Sequence, residues 1–311
     1  RKTGHVEGIA ESDARGDFGG SNTEGSCGLL EYVRIEFAGY EISRDNELNG
    51  LTLGGCGSGT VIRYVQVHRG LDDGIEMFGG NVDLKYAVVS GAGDDAVDWD
   101  LGWQGRAQFL VVMVYPNIGD NGFEGDNDGK AMDAEPRSQP TFFNVTMLAE
   151  PTSSRVHRGM TLREGTGGRF ANFIISGFNG EAVDLRDGPT ARLIDSGDLA
   201  FQSILLHDNG PDGSNIFADE SGEANDDEGF PEADYFAPPR VQAVSTTGLL
   251  AGAMLRDPPA LVPDAIDLPL APSRPPQDEF WDEGARYFGA FRPGTAKATP
   301  WTAGWTAYPQ K

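Results

Sequence analysis

Basic residues, thiols and long apolar runs are all scarce in this chain. The 24 Lys and Arg stand against 48 Asp and Glu, a formal charge of −24. A surface of that sign repels phosphate backbones and anionic headgroups, which argues against nucleic acid or an anionic membrane as partner. No stretch approaches the ~20 apolar residues that cross a bilayer, so direct membrane insertion is not expected. The chain opens at Arg1 without a signal-peptide pattern and reads as a mature or trimmed product. Cysteine occurs twice, at Cys27 and Cys56. Paired Cys-x-x-Cys motifs, a serine nucleophile elbow and phosphate-binding glycine loops are absent, which removes the usual sequence footing for thiol-redox, elbow-serine and nucleotide chemistry. His68, His157 and His207 have no partner at metal-ligand spacing and are expected to be exposed or in turns.

Short strands recur in place of long runs. One strand type begins with a small residue and repeats as Asn49-Gly50-Leu51-Thr52-Leu53, Asp73-Gly74-Ile75-Glu76-Met77, Asp95-Ala96-Val97-Asp98-Trp99, Asn121-Gly122-Phe123-Glu124, Arg158-Gly159-Met160-Thr161-Leu162 and Glu181-Ala182-Val183-Asp184-Leu185. About a dozen residues after each comes a longer apolar strand, such as Val61-Ile62-Arg63-Tyr64-Val65-Gln66-Val67. Successive small residues at 50, 74, 96, 122, 159 and 182 are 24, 22, 26, 37 and 23 apart, and the long step holds a polar insertion over 126–140. Units this short cannot bury their own apolar face, so they must stack into one continuous core. Strand content without room for amphipathic helices predicts an all-β chain, and the period predicts a right-handed parallel β-helix. Alternation sends Leu51, Ile75, Val97, Phe123, Met160 and Val183 inward, with Leu53, Met77, Trp99, Leu162 and Leu185, and the residues between them outward.

Three regions follow: coils over 1–215, an acidic and Pro-rich extended segment over 216–279, and an aromatic tail over 280–311. Trp281, Tyr287, Phe288, Phe291, Trp301, Trp305 and Tyr308 are too costly to leave in water, so the tail is expected to pack back on the solenoid or cover an end. Cys27 and Cys56 lie about one coil apart in similar Gly-rich settings, and a bridge between adjacent coils is expected in an oxidising compartment.

The outward column of the short strands reads Thr52, Glu76, Asp98, Glu124, Thr161, Asp184. Neighbouring coils lie about 4.8 Å apart, so stacked carboxylates repel unless a cation or protons intervene. Asp100 and Asp126 follow at the next outward position, with Asp128 beyond. Glu76, Asp98, Asp100, Glu124, Asp126 and Asp128 are therefore candidate Ca²⁺ ligands, since Ca²⁺ takes six to eight hard oxygens, and Glu124-Gly125-Asp126-Asn127-Asp128-Gly129 has the Asp-x-Asp-Gly look of a calcium loop. A solvated acidic face with no ion is the other reading. The corner doublets Asp72-Asp73, Asp94-Asp95 and Asp120-Asn121 are read as turn residues that bond their own backbone. Trp103 is the expected outward platform for a sugar ring. For glycosidic hydrolysis Asp98 and Glu124 supply carboxylates, and for lyase chemistry Lys130, Arg163 and Arg186 supply basic groups, but no catalytic set is identified.

The stretches Leu30-Glu31-Tyr32-Val33-Arg34-Ile35-Glu36-Phe37-Ala38-Gly39, Asn46-Glu47-Leu48-Asn49-Gly50-Leu51-Thr52-Leu53, Asp72-Asp73-Gly74-Ile75-Glu76-Met77-Phe78-Gly79-Gly80, Gly122-Phe123-Glu124-Gly125-Asp126-Asn127-Asp128 and Trp301-Thr302-Ala303-Gly304-Trp305-Thr306 resemble a largely uncharacterised family of secreted or lipid-anchored bacterial surface proteins built of parallel β-helix repeats. The resemblance implies that fold and an address outside the cytoplasm: extracellular, at a bacterial cell surface, or periplasmic. Members usually carry further coils before the segment resembling His5-Val6-Glu7-Gly8-Ile9, so a missing amino-terminal portion is expected. The expected role is a structural or binding component that presents an acidic, calcium-loaded face to glycans or to other surface-protein subunits. The alternative is a polysaccharide lyase or glycoside hydrolase working on the same face.

Overall fold

The computed structural model describes residues 3–6, 9–10, 12–43, 46–215, 217, 227–244, 250, 253–255, 258–294 and 299–310. Parts of the acidic and Pro-rich segment, and Glu7 and Gly8 of the amino-terminal motif, lie outside them. The chain begins with an antiparallel hairpin of β1 (Thr3–His5) and β2 (Asp17–Gly19), then β3 (Leu29–Glu36) and a small hairpin of β4 (Glu41–Ser43) and β5 (Asn46–Glu47). Short and long strands then alternate: β6 (Leu51–Gly54), β7 (Val61–His68), β8 (Ile75–Phe78), β9 (Asp83–Ser90), β10 (Val97–Asp100), β11 (Arg106–Met113), β12 (Asn121–Gly125), β13 (Thr141–Leu148), β14 (Arg158–Leu162) and β15 (Gly168–Ser176). The last elements are β16 (Val183–Leu185), α1 (Gly188–Ser196), β17 (Leu199–His207), α2 (Glu232–Tyr235) and β18 (Val241–Ala243).

The short strands form one parallel sheet in the order β6-β8-β10-β12-β14-β16, and the long ones another, β3-β7-β9-β11-β13-β15-β17-β18. This is a right-handed parallel β-helix. The short-strand register stacks Leu51, Ile75, Val97, Phe123, Met160 and Val183 in one inward column, as expected. The parallel inward column runs Leu53, Met77, Trp99, Gly125, Leu162, Leu185. Glycine interrupts it because the Trp99 indole lies 2.2 Å from where a Cβ on Gly125 would stand.

Each long strand bends once. Tyr32, Tyr64, Tyr86, Phe109, Asn144, Asn172 and Ser203 hold φ between 53° and 62°, and cross-strand pairing skips them. The bend divides the long-strand sheet into two faces and gives the solenoid three sides. A left-handed backbone costs a non-glycine residue about 1–2 kcal/mol, and stacking repays part of it. Ring centroids are 4.5 Å apart from Tyr32 to Tyr64, 4.5 Å from Tyr64 to Tyr86 and 5.0 Å from Tyr86 to Phe109.

Two segments depart from expectation. Where no helix was expected, α1 replaces the corner between β16 and β17: Asp187 caps it by accepting from Thr190 N–H, Pro189 sits in its first turn, and Gly197 closes it at φ 77°. Those start and stop signals are all in the sequence. Val241 pairs with Ile204, so β18 adds a strand inside a segment expected to be extended surface chain.

The tail packs back on the solenoid. Val88, Val111, Met113, Leu148, Ile174 and Leu205 point out of one of the two long-strand faces and are buried under Phe288, Ala290 and Phe291 of the tail and Leu261 and Val262 of the segment before it, with Trp301, Trp305 and Tyr308 at the margin. Three side-chain amides pair in both directions with peptide groups of the tail or of the Pro-rich segment before it. Gln66 engages Ala307 (2.7 and 2.9 Å), Gln108 engages Asp282 (3.3 and 2.8 Å), and Asn172 engages Ser273 (2.9 and 2.7 Å). Asn144 donates to the carbonyls of Ala285 and Tyr287.

The disulfide joins Cys27 to Cys56 across adjacent coils, with Cα atoms 5.5 Å apart. Replacing both cysteines with serine is expected to cost about 3–4 kcal/mol by the loop-closure estimate, read in guanidinium unfolding. Asn172→Ala should cost about 3 kcal/mol, because it strands the partly buried N–H and C=O of Ser273 and places alanine at positive φ. Unchanged unfolding midpoints would contradict the respective account.

Candidate functional site: the acidic groove

Outside the short-strand sheet lies an open groove of about 570 Å³ lined by Glu41, Glu47, Leu71, Asp72, Asp73, Gly93, Asp94, Asp95, Asp98, Glu124, Arg155 and Arg163. Hairpin β4–β5 contributes Glu41 and Glu47 to its rim, and the coil corners contribute the aspartate doublets.

The doublets were expected to bond their own turn backbone, and the bonds found here run instead to the neighbouring coil. Asp73 Oδ1 accepts from Asp95 N–H at 2.9 Å, Asp95 Oδ1 accepts from Asn121 N–H at 2.6 Å, and Asn121 Oδ1 accepts from the Thr161 hydroxyl at 3.0 Å. Each corner thus caps the next coil. Sequence reasoning missed that Asp73 also reaches the carboxylate column. Carboxylate oxygens of Asp73, Glu76 and Asp98 lie within 4.8 Å of one another, and so do those of Asp72, Asp73 and Asp94. Spacing carries no signal of this contact, because Asp73 stands before β8, at a corner where alternation does not set side-chain direction.

Burial departs from the expected open face. Glu76 is 3 % exposed, Glu124 9 % and Asp184 1 %. The lower rungs are neutralised by arginine. Arg163 pairs with Glu124 at 2.8 Å and with Asp126 at 2.9 Å, while Arg158 and Arg186 hold Asp184 at 2.9 and 3.0 Å. The upper rungs are not resolved in that way. Asn49 Nδ2 donates to Glu76, yet Asn49 Oδ1 and Asp98 Oδ1 are buried acceptors with no hydrogen-bond partner. Burial, reinforced by neighbouring carboxylates, pushes Asp73, Asp95 and Asp98 well above the ordinary aspartate range. Burial also raises Glu124 to about 7, against the opposing pull of Arg163.

Three carboxylates this close cannot all stay ionised without a counter-charge. Two ligands on one Ca²⁺ at about 2.3–2.6 Å each are separated by up to about 5 Å, so the spacing of Asp73, Glu76 and Asp98 fits such an ion. The orphaned oxygens of Asn49 and Asp98 are the acceptors it would satisfy.

The structure does not bring the other candidate ligands into this cluster. Asp100 accepts from Leu101 N–H, Asp126 faces Arg163, and Asp128 accepts from Lys130 N–H, so the calcium-loop segment ties up its own backbone. Trp103 is no platform: it is fully buried and its indole N–H donates to Val82 O at 3.1 Å. Positive φ at Leu101 and Gly102 turns the chain there and ends the alternation on which the outward assignment rested. The histidines are buried rather than exposed. His68 bridges Ser90 and the Pro309 carbonyl, His207 meets Ser176, and burial holds His68 and His157 below the usual imidazole range. Of the basic candidates, Lys130 is exposed on the insertion, Arg186 is held by Asp184, and Arg163 reaches the groove already bound to two carboxylates.

Among the described residues no helix is long and apolar enough to cross a membrane. No curated protein and no solved structure matches the chain. Residues 4–232, which span the stacked coils and reach α2, match the pectate-lyase like beta helix domain, and the chain belongs to that family.

Proposed function

We propose that this chain is an extracellular binding component of a bacterial cell surface or extracellular assembly, and that its groove holds a divalent cation, with calcium the best fit, through which it engages glycans or partner subunits. The observation that carries this reading is the Asp73–Glu76–Asp98 cluster, with buried Asp98 Oδ1 unpartnered and with Asp73 and Asp98 lining an open groove. A bound cation would neutralise the cluster and offer remaining coordination positions to sugar hydroxyls or carboxylates. The family fold is compatible with polysaccharide-related work outside the cell, although fold alone does not fix function. The Cys27–Cys56 bridge suits an oxidising compartment.

A second reading, hydrolysis or elimination on a polysaccharide, is favoured by one observation. Burial raises Glu124 to about 7 against the pull of Arg163, and Glu124 lines the same groove as Asp98, as a general acid would.

Calorimetric titration of chelator-treated protein with Ca²⁺ should give a dissociation constant of about 10⁻⁴–10⁻³ M, the range of extracellular sites. Asp98→Asn should weaken it at least tenfold, and retention on glycan columns should fall with it. No Ca²⁺ binding defeats the proposal, and new chain ends in incubated polysaccharide shift it to the enzymatic reading.

Stability should report the same cluster. A carboxyl whose folded pKa is raised stabilises the fold fully below its unfolded pKa and loses that contribution as pH rises through the folded value. For Glu124 the window runs from 4.5 to about 7, and Asp73, Asp95 and Asp98 shift in the same direction. Metal-free protein should therefore melt lower at pH 8 than at pH 5, and Ca²⁺ should remove most of the difference. A melting temperature indifferent to both pH and chelator would refute this account.

A further inference from the structure

A second cleft lies at the other end of the short strands from the aspartate doublets. It encloses about 580 Å³, within the ~300–1,000 Å³ of small-ligand sites. Hairpin β1–β2 and the loop after it form one wall, the corners after β6, β8 and β10 form the floor, and Gln104 and Pro136 complete the lining. Its chemistry contrasts with the rest of the chain. In a molecule of charge −24, Asp17 is the only acid among the described residues of the lining, and no lysine or arginine joins it. That acid already holds His5 at 2.9 Å. Ser21, Asn22, Thr23, Asn81 and Gln104 supply neutral hydrogen-bonding groups, and Phe18, resting on Phe78 at 5.8 Å, is the one ring. The floor is bare backbone: Gly80 and Gly102 hold φ of 77° and 87°, and a Cβ on them would stand 2.4 Å from Cys56 O and 2.2 Å from Pro136 O respectively. Peptide groups of the floor are bonded from coil to coil, Gly55 N–H to Phe78 O at 2.8 Å, Asn81 N–H to Cys56 O at 2.9 Å and Gln104 N–H to Gly80 O at 2.9 Å. Asn81 Oδ1, by contrast, is a buried acceptor with no hydrogen-bond partner.

We propose that this cleft binds a neutral glycan, with Asn81 and Gln104 bonding its hydroxyls and Phe18 meeting the apolar C–H groups of a sugar ring. The lining selects among ligands. A uronate or sulfated chain would bring its charge to a cleft with no basic residue to receive it, inside a strongly acidic molecule. An extended peptide binds by completing an open strand edge, and the floor spends its peptide groups on bonds between coils. An apolar ligand would leave the Asn81 acceptor unpaired. Sugar hydroxyls donate and accept in turn, as the amides and hydroxyls of the wall require. Gln104 is set for this role: its Nε2 donates to Arg137 O at 3.2 Å, which fixes the amide and leaves Oε1 to accept from a hydroxyl. The aromatic ring face attracts C–H edges through its quadrupole, so Phe18 adds orientation without charge. No carboxylate cluster borders this cleft, and binding here needs no metal ion, which sets it apart from the acidic groove.

Calorimetric titration in EDTA, which silences the cation site of the groove, tests this with neutral hexasaccharides of glucose, mannose, galactose and xylose, and with a hexauronate and an alternating Val-Thr hexapeptide as rivals. At least one neutral hexasaccharide is expected to bind, and added Ca²⁺ should leave its affinity unchanged. Asn81→Ala, which removes the acceptor, and Ser21→Trp, which fills the cleft from an exposed position on its wall, should each weaken binding about fivefold or more, with melting curves to show that both are folded. The proposal is overturned if no neutral hexasaccharide binds, if the hexauronate or the peptide binds more tightly, if binding appears only with Ca²⁺, or if the folded variants bind as the parent does.

Discussion

Parallel, in-register stacking is the constraint from which the rest of this molecule follows. Each residue stands about 4.8 Å from its counterpart in the next coil, so every side chain is repeated into a column whose members must tolerate one another. Apolar columns do so readily and become the core. Aromatic residues at the strand bend do so by stacking face to face, which is why four successive bends can carry Tyr32, Tyr64, Tyr86 and Phe109 in a left-handed conformation. Where rings give way to Asn144 and Asn172, amides replace stacking by bonding the tail or the segment before it instead.

Carboxylates tolerate such a column worst. At 4 Å and an effective dielectric of about 20, two unit charges repel by about 4 kcal/mol, a large part of a domain's net stability. The chain answers in two ways along one sheet. Asp73 and Asp95 turn an oxygen to the backbone N–H of the next corner, and Glu124, Asp126 and Asp184 take arginine partners. Asp98 has an oxygen that receives neither. A structural role for the acids would call for these solutions at every rung, and their interruption at one level is the observation on which the proposed cation site rests.

The sequence showed what depends on period and alternation and obscured what depends on contacts between distant segments. Two inward columns were readable because a register slip would expose both at once. Alternation also placed Glu76 and Asp98 on one ladder. It failed at Trp103, where two residues of positive φ reset the facing of the chain, and it could not show that Arg163, two coils away from Asp98, would neutralise Glu124 and Asp126. Asp73 looked like a residue that bonds its own turn, and it bonds the next corner instead; that its carboxylate also faces Glu76 depends on side-chain direction, which no spacing rule carries. Aromatic content announced that the tail would be buried, but the amide partners that fix its course and that of the segment before it, Gln66, Gln108 and Asn172, are ordinary polar residues in strand positions and have no signature of their own.

That course bears on where function resides. Phe280 and Trp281 pack over Phe143 and Ala171 on one face of the long-strand sheet, and the segment from Phe288 to Tyr308 covers much of the other. The tail therefore closes two of the three sides of the solenoid while the acidic groove on the third stays open. Covering the apolar columns is required by the hydrophobic effect; leaving the groove uncovered is not, since its buried, repelling carboxylates would be relieved by any cationic segment laid across them. An acidic chain whose arginines stop at the rung below Asp98, and whose long tail passes over the other two faces, retains an unrelieved charge at an accessible place. That combination is expected of a site that meets its counter-charge from solution.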